Sequence, residues 1–427
     1  MPAMSRARRL LCVYQHAPTP GAPGIYRHRL LLAELVRRGW HVDLVSTSVN
    51  YMTGQVPERY RGRPYVRETI DGVVHHWVYA STGIHRSKSR RALNYATFAL
   101  TAGLRGTTLR RPDVILVSSP PLTVGALGPL LSARFRRPWL LEIRDLWPES
   151  AASIGWLTET SVPYRALERL AHRLAADAAA VVVPSMGLVA PVLRHGARVV
   201  QVVSGAVVAA PVDEALRRGT RERLGIRDST CVFLYLGSVG VANGLDVVVD
   251  AVVRLPRAVD VVVLVVGDGS ARAELQARVT REQIDRLSLV GAVSREEVGE
   301  FLAAADVGLH ALRADPLFAS ALPTKVLEYL ASARPFVTTV PGLPERLALR
   351  SGGGFAPGVE KLADELSRWA AMTPEERRAI GEQSLTFGLQ QFGLSAVVDR
   401  FESLLLDQVD AGRRETESES SALPAVG

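Results

Sequence analysis

Leu10-Leu-Cys-Val-Tyr-Gln15 is a mostly apolar segment of strand length, and His41-Val-Asp-Leu-Val-Ser-Thr47 is a second segment of strand length, with Val42, Leu44 and Val45 at its centre. Between them, residues 25–38 place apolar side chains three and four positions apart, and Gly39 then ends this helical pattern. Strands without a polar face are typical of parallel sheets that are covered by helices on both sides. The stretch therefore predicts a strand–helix–strand unit of a doubly wound α/β sheet.

The same alternation of apolar strands and helical patterns continues along the chain. In the first half, further strands are predicted at residues 73–79, 113–119, 139–145 and 179–185. In the second half, strands at 232–236, 259–266, 287–290, 307–312 and 335–340 alternate with helices such as 245–254 and 295–304. The sequence thus predicts two doubly wound, Rossmann-like sheets.

The length of 427 residues also suits two domains, because one domain usually holds about 100–200 residues. Residues 207–223 lose the strand pattern, and we place the boundary there. The predicted organisation is an N-terminal domain at 1–206, a C-terminal domain at 207–393, and a terminal helix at 394–412 that crosses back to the first domain. Residues 413–427 lack an apolar pattern and are predicted to form a disordered tail.

The net charge of +8 is unevenly distributed along the chain. Residues 1–200 hold 27 Lys and Arg against 12 Asp and Glu, whereas residues 201–427 hold 24 against 31. A basic N-terminal half favours an acidic partner such as an anionic membrane surface or a phosphorylated substrate, although an ordinary arginine-rich surface explains it equally well. The sequence contains no nucleic-acid-binding motif, so we expect no nucleic-acid partner.

Cysteine use and hydropathy bear on the cellular compartment. Cys12 and Cys231 lie in separate apolar runs, a spacing that favours neither a disulfide nor a structural zinc site. The apolar run after the basic N-terminus is too short for a signal peptide, and no run reaches the roughly 18 residues that a membrane span requires. We therefore expect a cytoplasmic protein that contacts the inner face of the membrane peripherally.

The segment Ala321-Leu-Pro-Thr-Lys-Val-Leu-Glu-Tyr-Leu-Ala-Ser332 carries the strongest chemical signal. Pro323 is predicted to open a helix at the carboxyl edge of the sheet, where the free amides of the first turn and the helix dipole attract anions. Lys325 adds a full positive charge, and Glu328 lies on nearly the same helical face. One face thus offers a cation for phosphates and an acceptor for a sugar diol. The alternative is an exposed Lys–Glu pair worth only ~0.2–0.5 kcal/mol.

Two glycine-containing turns follow predicted strands of the second half. The glycines of Gly237-Ser-Val-Gly-Val-Ala-Asn-Gly244 would let backbone amides approach a phosphate closely. Gly267-Asp-Gly269 follows the next strand and is a candidate wall of the same pocket. In both places an ordinary tight turn between a strand and a helix is the alternative.

In the first half, the predicted strand 139–145 delivers Glu142, Arg144 and Asp145, and Trp147 and Glu149 follow it. Ionisable groups that leave an apolar strand are costly unless they are paired or functional. Asp145, with Glu149 as the alternative, could accept the proton of a substrate hydroxyl. The competing interpretation is a structural pair of Arg144 with Asp145, with Trp147 in the cleft wall.

Other local patterns argue against cofactors and metals. Gly21-Ala-Pro-Gly24 follows the first strand but is not the G-x-G-x-x-G sequence of dinucleotide-binding oxidoreductases. His75, His76 and His85 lack the spacing of metal ligands, so we expect core or solvated histidines and no bound metal.

These motifs resemble those of the family 4 glycosyltransferases of the GT-B fold, particularly the branch that acts in bacterial polysaccharide assembly. The resemblance covers most of residues 9–405, and it rests on Arg144-Asp-Leu-Trp-Pro-Glu-Ser150, Gly237-Ser-Val-Gly-Val-Ala-Asn-Gly-Leu-Asp246, Val266-Gly-Asp-Gly269 and Leu322-Pro-Thr-Lys-Val-Leu-Glu-Tyr-Leu-Ala331 followed by Arg334-Pro335. It implies two Rossmann-like domains facing across a cleft, with 1–206 as the acceptor-side domain and 207–393 as the nucleotide-sugar-binding domain. It also implies a retaining, metal-independent transfer from a nucleotide sugar, with Glu328 holding the ribose hydroxyls.

Two positions depart from the family pattern. Many members carry an Arg and a Lys in the glycine-rich loop, where this chain has Ser238 and Asn243. The first glutamate of the family pattern, eight positions before Glu328, is Ser320 here. The best remaining cation for the leaving diphosphate is Lys325, followed by Arg295 and Arg313.

The resulting hypothesis is the transfer of a hexose or N-acetylhexosamine from a nucleotide-diphosphate sugar, expected to be UDP-linked, to a hydroxyl of a glycan, lipid-linked or natural-product acceptor. Lys325 and the helix amides would stabilise the leaving diphosphate, and no cofactor is expected. The predicted donor-binding residues are Gly237, Ser238, Asn243, Gly244, Gly267, Gly269, Thr324, Lys325 and Glu328. The acceptor side is assigned to Gly24, Arg144 and Trp147. Two alternatives stay open: a nucleotide-sugar epimerase of the same fold, and a non-catalytic nucleotide-sugar-binding protein.

Overall fold

The computed structural model of the chain describes residues 7–22, 26–153, 155–210, 213–313, 319 and 322–421, and for residues 295, 413 and 415–421 it describes the backbone alone. The chain forms two compact units. The first comprises Met1–Ser204 and Ser395–Gly427, and the second comprises Gly205–Leu394. The break after Ser204 lies close to the predicted boundary at 206.

The first unit is built on an eight-stranded sheet with the order β3-β4-β2-β1-β5-β6-β7-β8. Its strands are β1 (Arg9–Val13), β2 (His41–Thr47), β3 (Tyr65–Ile70), β4 (Val73–Val78), β5 (Val114–Ser119), β6 (Trp139–Ile143), β7 (Ala180–Val183) and β8 (Val200–Val202). Neighbouring strands are parallel except for β3 and β4, which are antiparallel. The helices of this unit before residue 204 are α1 (Arg27–Arg37), α2 (Lys88–Thr107), α3 (Leu122–Gly125), α4 (Leu127–Phe135), α5 (Glu149–Ser153), α6 (Val162–Asp177) and α7 (Val189–Arg194). The predicted doubly wound α/β sheet is thus confirmed.

The antiparallel strand β3 is absent from the predicted strands. Its side chains alternate between exposed and half-buried positions, so it has no continuous apolar run. It joins β4 through Asp71 and Gly72, whose φ angles are 51° and 80°. An Asp-Gly pair between two short segments is a strong hairpin signal, because both residues tolerate positive φ. The short strand β8 is likewise absent from the predicted strands.

The second unit is built on a six-stranded, fully parallel sheet with the order β11-β10-β9-β12-β13-β14. Its strands are β9 (Cys231–Leu236), β10 (Val261–Val266), β11 (Leu287–Gly291), β12 (Val307–His310), β13 (Phe336–Thr338) and β14 (Gly354–Phe355). Its helices are α8 (Glu214–Arg223), α9 (Asp246–Arg254), α10 (Arg272–Arg281), α11 (Arg295–Ala304), α12 (Thr324–Ala331), α13 (Leu343–Arg350), α14 (Val359–Ala370) and α15 (Pro374–Phe392). All predicted strands of both halves are present, with ends within two residues of those predicted.

The last helix, α16 (Leu394–Ser421), belongs to the first unit from Ser395 onward. Arg38 forms ion pairs with Asp399 at 2.6 Å and with Glu402 at 2.9 Å, and the Trp40 indole donates to Glu402. The helix runs past its predicted end at 412, so the prediction of a disordered tail is wrong as far as Ser421; the segment 422–427 lies outside the described residues. The segment continues because no Gly or Pro interrupts the sequence between Gly412 and Pro424. Across the described ranges no helix is both long and apolar enough to cross a bilayer.

Candidate functional site

The strand order of the second unit creates a switch point between β9 and β12. Strands β9, β10 and β11 extend to one side of this point, and β12, β13 and β14 extend to the other. In open parallel sheets, ligands bind at the carboxyl ends of the strands where the order reverses. The turn after β9 begins with Gly237, and the segment after β12 contains Arg313. Two candidate residues therefore lie at the expected edge.

The glycines after β9 and β10 are required by close backbone packing. Gly267 has a φ of 145°, and a Cβ atom there would lie 1.8 Å from the carbonyl oxygen of Gly237. A Cβ atom on Gly269 would lie 2.5 Å from the carbonyl oxygen of Val239. The two turns therefore pack against each other directly, as the tight-turn alternative requires. Gly237 and Ser238 are nonetheless exposed, so their backbone is open to a ligand.

The rest of the glycine-rich loop is fixed by its own hydrogen bonds. The Asn243 side chain accepts from the Gly240 amide at 3.1 Å and caps the short 3₁₀ turn Val241–Asn243. Gly244 has a φ of 58°, and a Cβ atom there would lie 3.2 Å from the Arg313 amide nitrogen. The Arg313 amide donates to Ala242 at 2.9 Å. Asn243 is therefore occupied in a structural role, and the loop is tied to the segment after β12.

Helix α12 is anchored to the sheet by a buried tyrosine. The Tyr329 hydroxyl donates to the Leu234 carbonyl at 2.8 Å and accepts from the Leu236 amide at 3.0 Å, so it satisfies backbone groups at the end of β9. The helix begins at Thr324 after Pro323, and no side chain caps it. Its first amides are therefore available to an anion, and the helix dipole adds positive potential there.

Lys325 lies on the first turn of α12 and is half-buried. Its Nζ atom is 3.7 Å from the centroid of the Tyr235 ring, and a Cβ atom on Gly237 would lie 3.4 Å from the same nitrogen. Burial lowers the pKa of Lys325 to about 7, against the opposing effect of Glu328. The ammonium group is poorly solvated, so a nearby anion would stabilise its charged form. This behaviour is expected for a phosphate site and not for an exposed Lys–Glu pair.

Lys325 has one ionisable neighbour that cannot share its charge. His310 at the end of β12 is fully buried, and burial together with Lys325 lowers its pKa to about 3. Its Nδ1 lies 2.9 Å from the Thr338 hydroxyl. The imidazole is thus neutral at physiological pH, so protonated Lys325 and not His310 supplies positive charge here. Four other positions considered from the sequence add no further contact to this site within the described part of the chain. Ser320 and the Arg295 side chain lie outside the described residues, and Thr324 and Arg313 are exposed.

The first unit has its own switch point, between β1 and β5, and a buried carboxylate lies beside it. Glu142 on β6 receives hydrogen bonds from Arg27, from His28 Nε2 at 2.6 Å and from the Ser118 hydroxyl. Burial alone would raise the pKa of Glu142, but His28 and Arg27 hold it well below its usual value. Burial in turn lowers the pKa of His28, so Arg27 carries the balancing positive charge. The network fastens α1 to the centre of the sheet.

Arg144 and Asp145 are not paired with each other in the described part of the chain. Arg144 donates through Nε to the Ser118 hydroxyl at 3.0 Å and through Nη2 to the Pro120 carbonyl at 2.6 Å, and it lies over the Tyr14 ring. Asp145 is exposed. The competing interpretation, a structural pair of Arg144 with Asp145, is therefore wrong. The Asp145 carboxylate is accessible to solvent.

Glu149, the alternative base, is engaged elsewhere. Its Oε1 lies 2.9 Å from His195 Nε2, and the His195 ring stacks on His172 with centroids 4.4 Å apart. Burial would raise the pKa of Glu149, but the hydrogen bond from His195 lowers it overall. A carboxylate with a lowered pKa and a fixed partner is a poor proton acceptor.

The two other residues assigned to the acceptor side add little. Trp147 packs edge-on against Trp156 with ring centroids 6.5 Å apart, and Gly24 lies outside the described residues.

His16 is a further candidate site residue, which the sequence patterns do not single out. It follows β1, and its ring lies 4.5 Å from that of Tyr51 and 6.3 Å from that of Tyr95. Burial, then Arg144 and Arg91, lower its pKa well below the usual value. A neutral imidazole beside a switch point can accept a hydrogen bond from a hydroxyl. The sequence feature that could have identified His16 is its position just after the central strand β1.

The remaining histidines have structural explanations. His76 is buried, with Nε2 3.0 Å from Asp43 and Nδ1 2.9 Å from the Tyr65 hydroxyl. Burial lowers the pKa of His75 to about 4. His85 is exposed and contacts the Tyr51 carbonyl at 2.9 Å. Within the described residues no group of three His, Cys, Asp or Glu side chains is placed to hold a metal ion.

Two family models match the chain, one in each half. The model described as a glycosyl transferase 4-like domain matches residues 23–205. The model described as glycosyl transferases group 1 matches residues 230–371. The two matches fall on the first and second units, respectively.

Individual relatives agree with these matches. The chain is 26% identical over 238 residues to WbjE of Pseudomonas aeruginosa, described as a probable glycosyltransferase; the match covers 54% of this chain and 58% of WbjE, so it spans little more than half of that relative. Sucrose-phosphate synthase from Thermosynechococcus elongatus superposes with a TM-score of 0.72 at 17% identity, covering 95% of this chain and all of the other. Anabaena HepE, solved with UDP and glucose, gives a TM-score of 0.67 at 17% identity, with 94% and 100% covered. The chain therefore belongs to the family 4 glycosyltransferases and has the GT-B fold.

Proposed function

We propose that the protein is a retaining glycosyltransferase that moves a sugar from a nucleotide-diphosphate sugar to an acceptor hydroxyl without a metal ion. The observation that carries the proposal is the place of Lys325, a half-buried ammonium group on the first turn of α12 and beside Gly237. Poor solvation makes this charge costly in the absence of an anion, and a diphosphate would satisfy it. Retention of configuration is supported by membership of the family.

The donor site that we propose combines three features of the second unit. The uncapped amides of α12 and the Lys325 ammonium group would bind the diphosphate, which gains negative charge as the glycosidic bond breaks. Glu328, one helical turn further on, would accept hydrogen bonds from the ribose hydroxyls. UDP is our proposed nucleotide, and it is supported by the structural neighbour HepE, which has been solved with UDP and with UDP-glucose.

For the acceptor, we propose that Asp145 receives the hydroxyl proton. Asp145 is exposed, whereas Glu149 is committed to His195. Arg144 is held by Ser118 and would orient the acceptor through its remaining donors. We propose a hexose or N-acetylhexosamine as the transferred sugar. A glycan of bacterial polysaccharide assembly is our preferred acceptor, with a lipid-linked or natural-product hydroxyl as further candidates. This preference is supported by the structural neighbour WaaG, which is described as a glycosyltransferase involved in lipopolysaccharide biosynthesis.

A turnover experiment tests this function against its alternatives. An epimerase and a non-catalytic binding protein are not favoured, because both family models and WbjE are glycosyltransferases. Calorimetry against a panel of nucleoside diphosphates first identifies the base. The matching nucleotide sugar is then incubated with and without acceptor extracts. A transferase forms glycosylated product only with acceptor, an epimerase converts the sugar without it, and a binding protein does neither.

The lowered pKa of Lys325 predicts that donor affinity depends on pH. Free Lys325 loses its proton near pH 7, whereas a bound diphosphate favours the charged form and raises its pKa. Affinity for UDP-glucose should thus be constant below about pH 6.5 and fall by up to about tenfold per pH unit above 7.5. Isothermal titration calorimetry in buffers of different ionisation enthalpy should show proton uptake on binding at pH 8.

The matched control for this experiment is Lys325→Arg. An arginine keeps its charge throughout this pH range, so the variant should bind with an affinity that does not change with pH. A wild-type affinity that is equally flat between pH 6 and 9 would remove Lys325 from the diphosphate site.

We also propose peripheral contact of the first unit with anionic membranes. Leu100 and Leu104 on α2 are 64% and 63% exposed, and exposed Lys88 and Arg90 lie at the start of the same helix. An apolar and basic helical surface favours an anionic bilayer. Binding to anionic liposomes should fall steeply between 50 and 500 mM salt, roughly, because exposed charges are screened. Equal binding to neutral and anionic vesicles would refute the proposal.

A further inference from the structure

The first unit contains a cavity of about 670 Å³ that none of the assigned residues explains. Its walls are two connections, residues 48–64 between β2 and β3, and residues 79–86 between β4 and α2. A volume of this size is within the range of small-molecule sites. The cavity therefore has room for a substrate group.

The charge of this cavity is positive and uncompensated. Arg61, Arg63, Arg86 and His85 are among its lining residues, and the lining includes no Asp or Glu. The three arginines are exposed, and within the described part of the chain none of their side chains forms an ion pair. Nearby Arg59, by contrast, pairs with Glu68 at 3.4 Å, so acidic partners do exist in this region. Three unpaired guanidinium groups around one cavity favour an anion of more than one charge.

The cavity walls are held in place by their own packing. Gly54 has a φ of 69°, and a Cβ atom there would lie 2.9 Å from the His85 ring, so the two connections are in close contact. Tyr60, within the first connection, is buried. A site whose walls are already ordered loses less entropy when a ligand binds.

Exposed aromatic rings accompany the arginines. Tyr79 lines the cavity and is 51% exposed, and Tyr51, 45% exposed, lies beside His85 and His16. Exposed rings next to cationic side chains suit a ligand that has both an apolar sugar face and an anionic group. The aromatic rings also extend from the cavity toward His16.

We infer that this cavity binds the phosphate groups of a phosphorylated acceptor, with Arg61, Arg63 and Arg86 as the binding residues. The inference rests on the proposed function, because it names the acceptor class of that reaction. A diphosphate matches three guanidinium groups better than the single charge of a uronic acid does. The phosphate can belong to a lipid-linked diphosphate sugar or to a free sugar phosphate, which share this chemistry.

The test uses inorganic pyrophosphate and the 427-residue chain carrying Lys325→Ala, so that the proposed donor site contributes little binding. In this background, Arg61→Gln, Arg63→Gln and Arg86→Gln are combined. We expect pyrophosphate affinity to fall on the order of a hundredfold, because each guanidinium contributes charge-assisted hydrogen bonds. The matched control combines Arg165→Gln, Arg169→Gln and Arg173→Gln on α6, which are exposed and remove the same charge.

Four outcomes decide the inference. Loss of pyrophosphate binding in the cavity variant but not in the α6 control supports it. Equal weakening in both variants, or no pyrophosphate binding in the parent, overturns it. Stronger binding of glucuronate than of glucose 1-phosphate also overturns it, and comparing glucose 1-phosphate with geranyl diphosphate identifies the phosphate source. UDP-glucose binding with Lys325 intact tests the donor site separately, so failure of the proposed function remains distinguishable.

Discussion

Lys325→Ala is expected to lower turnover by about a hundred- to a thousandfold, which corresponds to ~2.7–4 kcal/mol of transition-state stabilisation. In the proposed reaction, negative charge develops on the diphosphate as the glycosidic bond breaks, so the ammonium group interacts more strongly with the transition state than with the bound donor. The variant should remain folded, because burial already disfavours the charge of this side chain. Steady-state kinetics and circular dichroism measure both effects.

Glu328→Ala is expected to change the KM for the donor and not kcat. The ribose does not change during the reaction, so loss of its hydrogen bonds should raise the apparent KM for the donor by roughly tenfold to a hundredfold and leave kcat nearly unchanged. Two neighbouring residues on α14 provide matched controls. Lys361→Ala and Glu360→Ala remove the same charges at exposed positions, and both variants should behave like the wild-type protein.

The pattern across the four variants distinguishes a donor site from an exposed ion pair. A surface pair contributes at most about 1 kcal/mol, so that model predicts small and similar effects from all four substitutions. Near-wild-type turnover in Lys325→Ala would exclude this residue from the mechanism. A large fall in kcat for Glu328→Ala with an unchanged KM would move Glu328 from the ribose to the reacting groups.

The strands were predictable from the sequence because parallel strands are buried on both faces and therefore appear as continuous apolar runs. Val261–Val266 is such a run, and Val114–Ser119 begins with one of four residues. Strand β3 was not predictable in this way, since its alternating exposure leaves only the Asp71-Gly72 turn as a signal. Polar composition predicts disorder after residue 412, but the helix continues to Ser421 because no Gly or Pro in that segment breaks it.

The candidate donor site was partly predictable because its chemistry is local. Lys325 and Glu328 lie on one helix, and the helix start was predicted from Pro323, one residue before its observed start at Thr324. Lysine use is a further signal: Lys88, Lys325 and Lys361 are the three lysines among 51 basic residues, so an arginine would be the ordinary choice at position 325. A compact ammonium group whose pKa shifts on burial differs in kind from a guanidinium group.

Sites that depend on tertiary contacts were beyond the sequence patterns. Glu142 and His28 are 114 residues apart in the chain, and no local spacing indicates that they meet. The pairing of Glu149 with His195 similarly depends on a tertiary contact, between the start of α5 and the residue after α7, and it removes Glu149 as the alternative base. Position at a strand end indicates which groups reach the site, whereas the partners decide which of them remain available for chemistry.

Glu142→Gln is expected to destabilise the first unit by about 3–5 kcal/mol, the usual cost of removing one partner of a buried ion pair. The substitution keeps the shape of the side chain but leaves the Arg27 guanidinium group without its counter-charge. It also replaces the carboxylate that accepts hydrogen bonds from His28 and Ser118 by an amide. For a unit of this size the melting temperature should fall by about 6–20 °C. Differential scanning calorimetry measures the shift.

The matched control is Asp71→Asn, which breaks an exposed ion pair with Arg29 and should cost at most about 1 kcal/mol. The pH dependence separates charge from packing. Because the pKa of Glu142 is held well below its usual value near 4.5, its stabilising effect is fully present above that value and is lost as pH falls through the folded-state pKa. The difference between wild type and Glu142→Gln should therefore be largest near neutral pH and shrink below about pH 4.5. A difference that stays constant into acid would show that the carboxylate stabilises the fold through its shape and not through its charge.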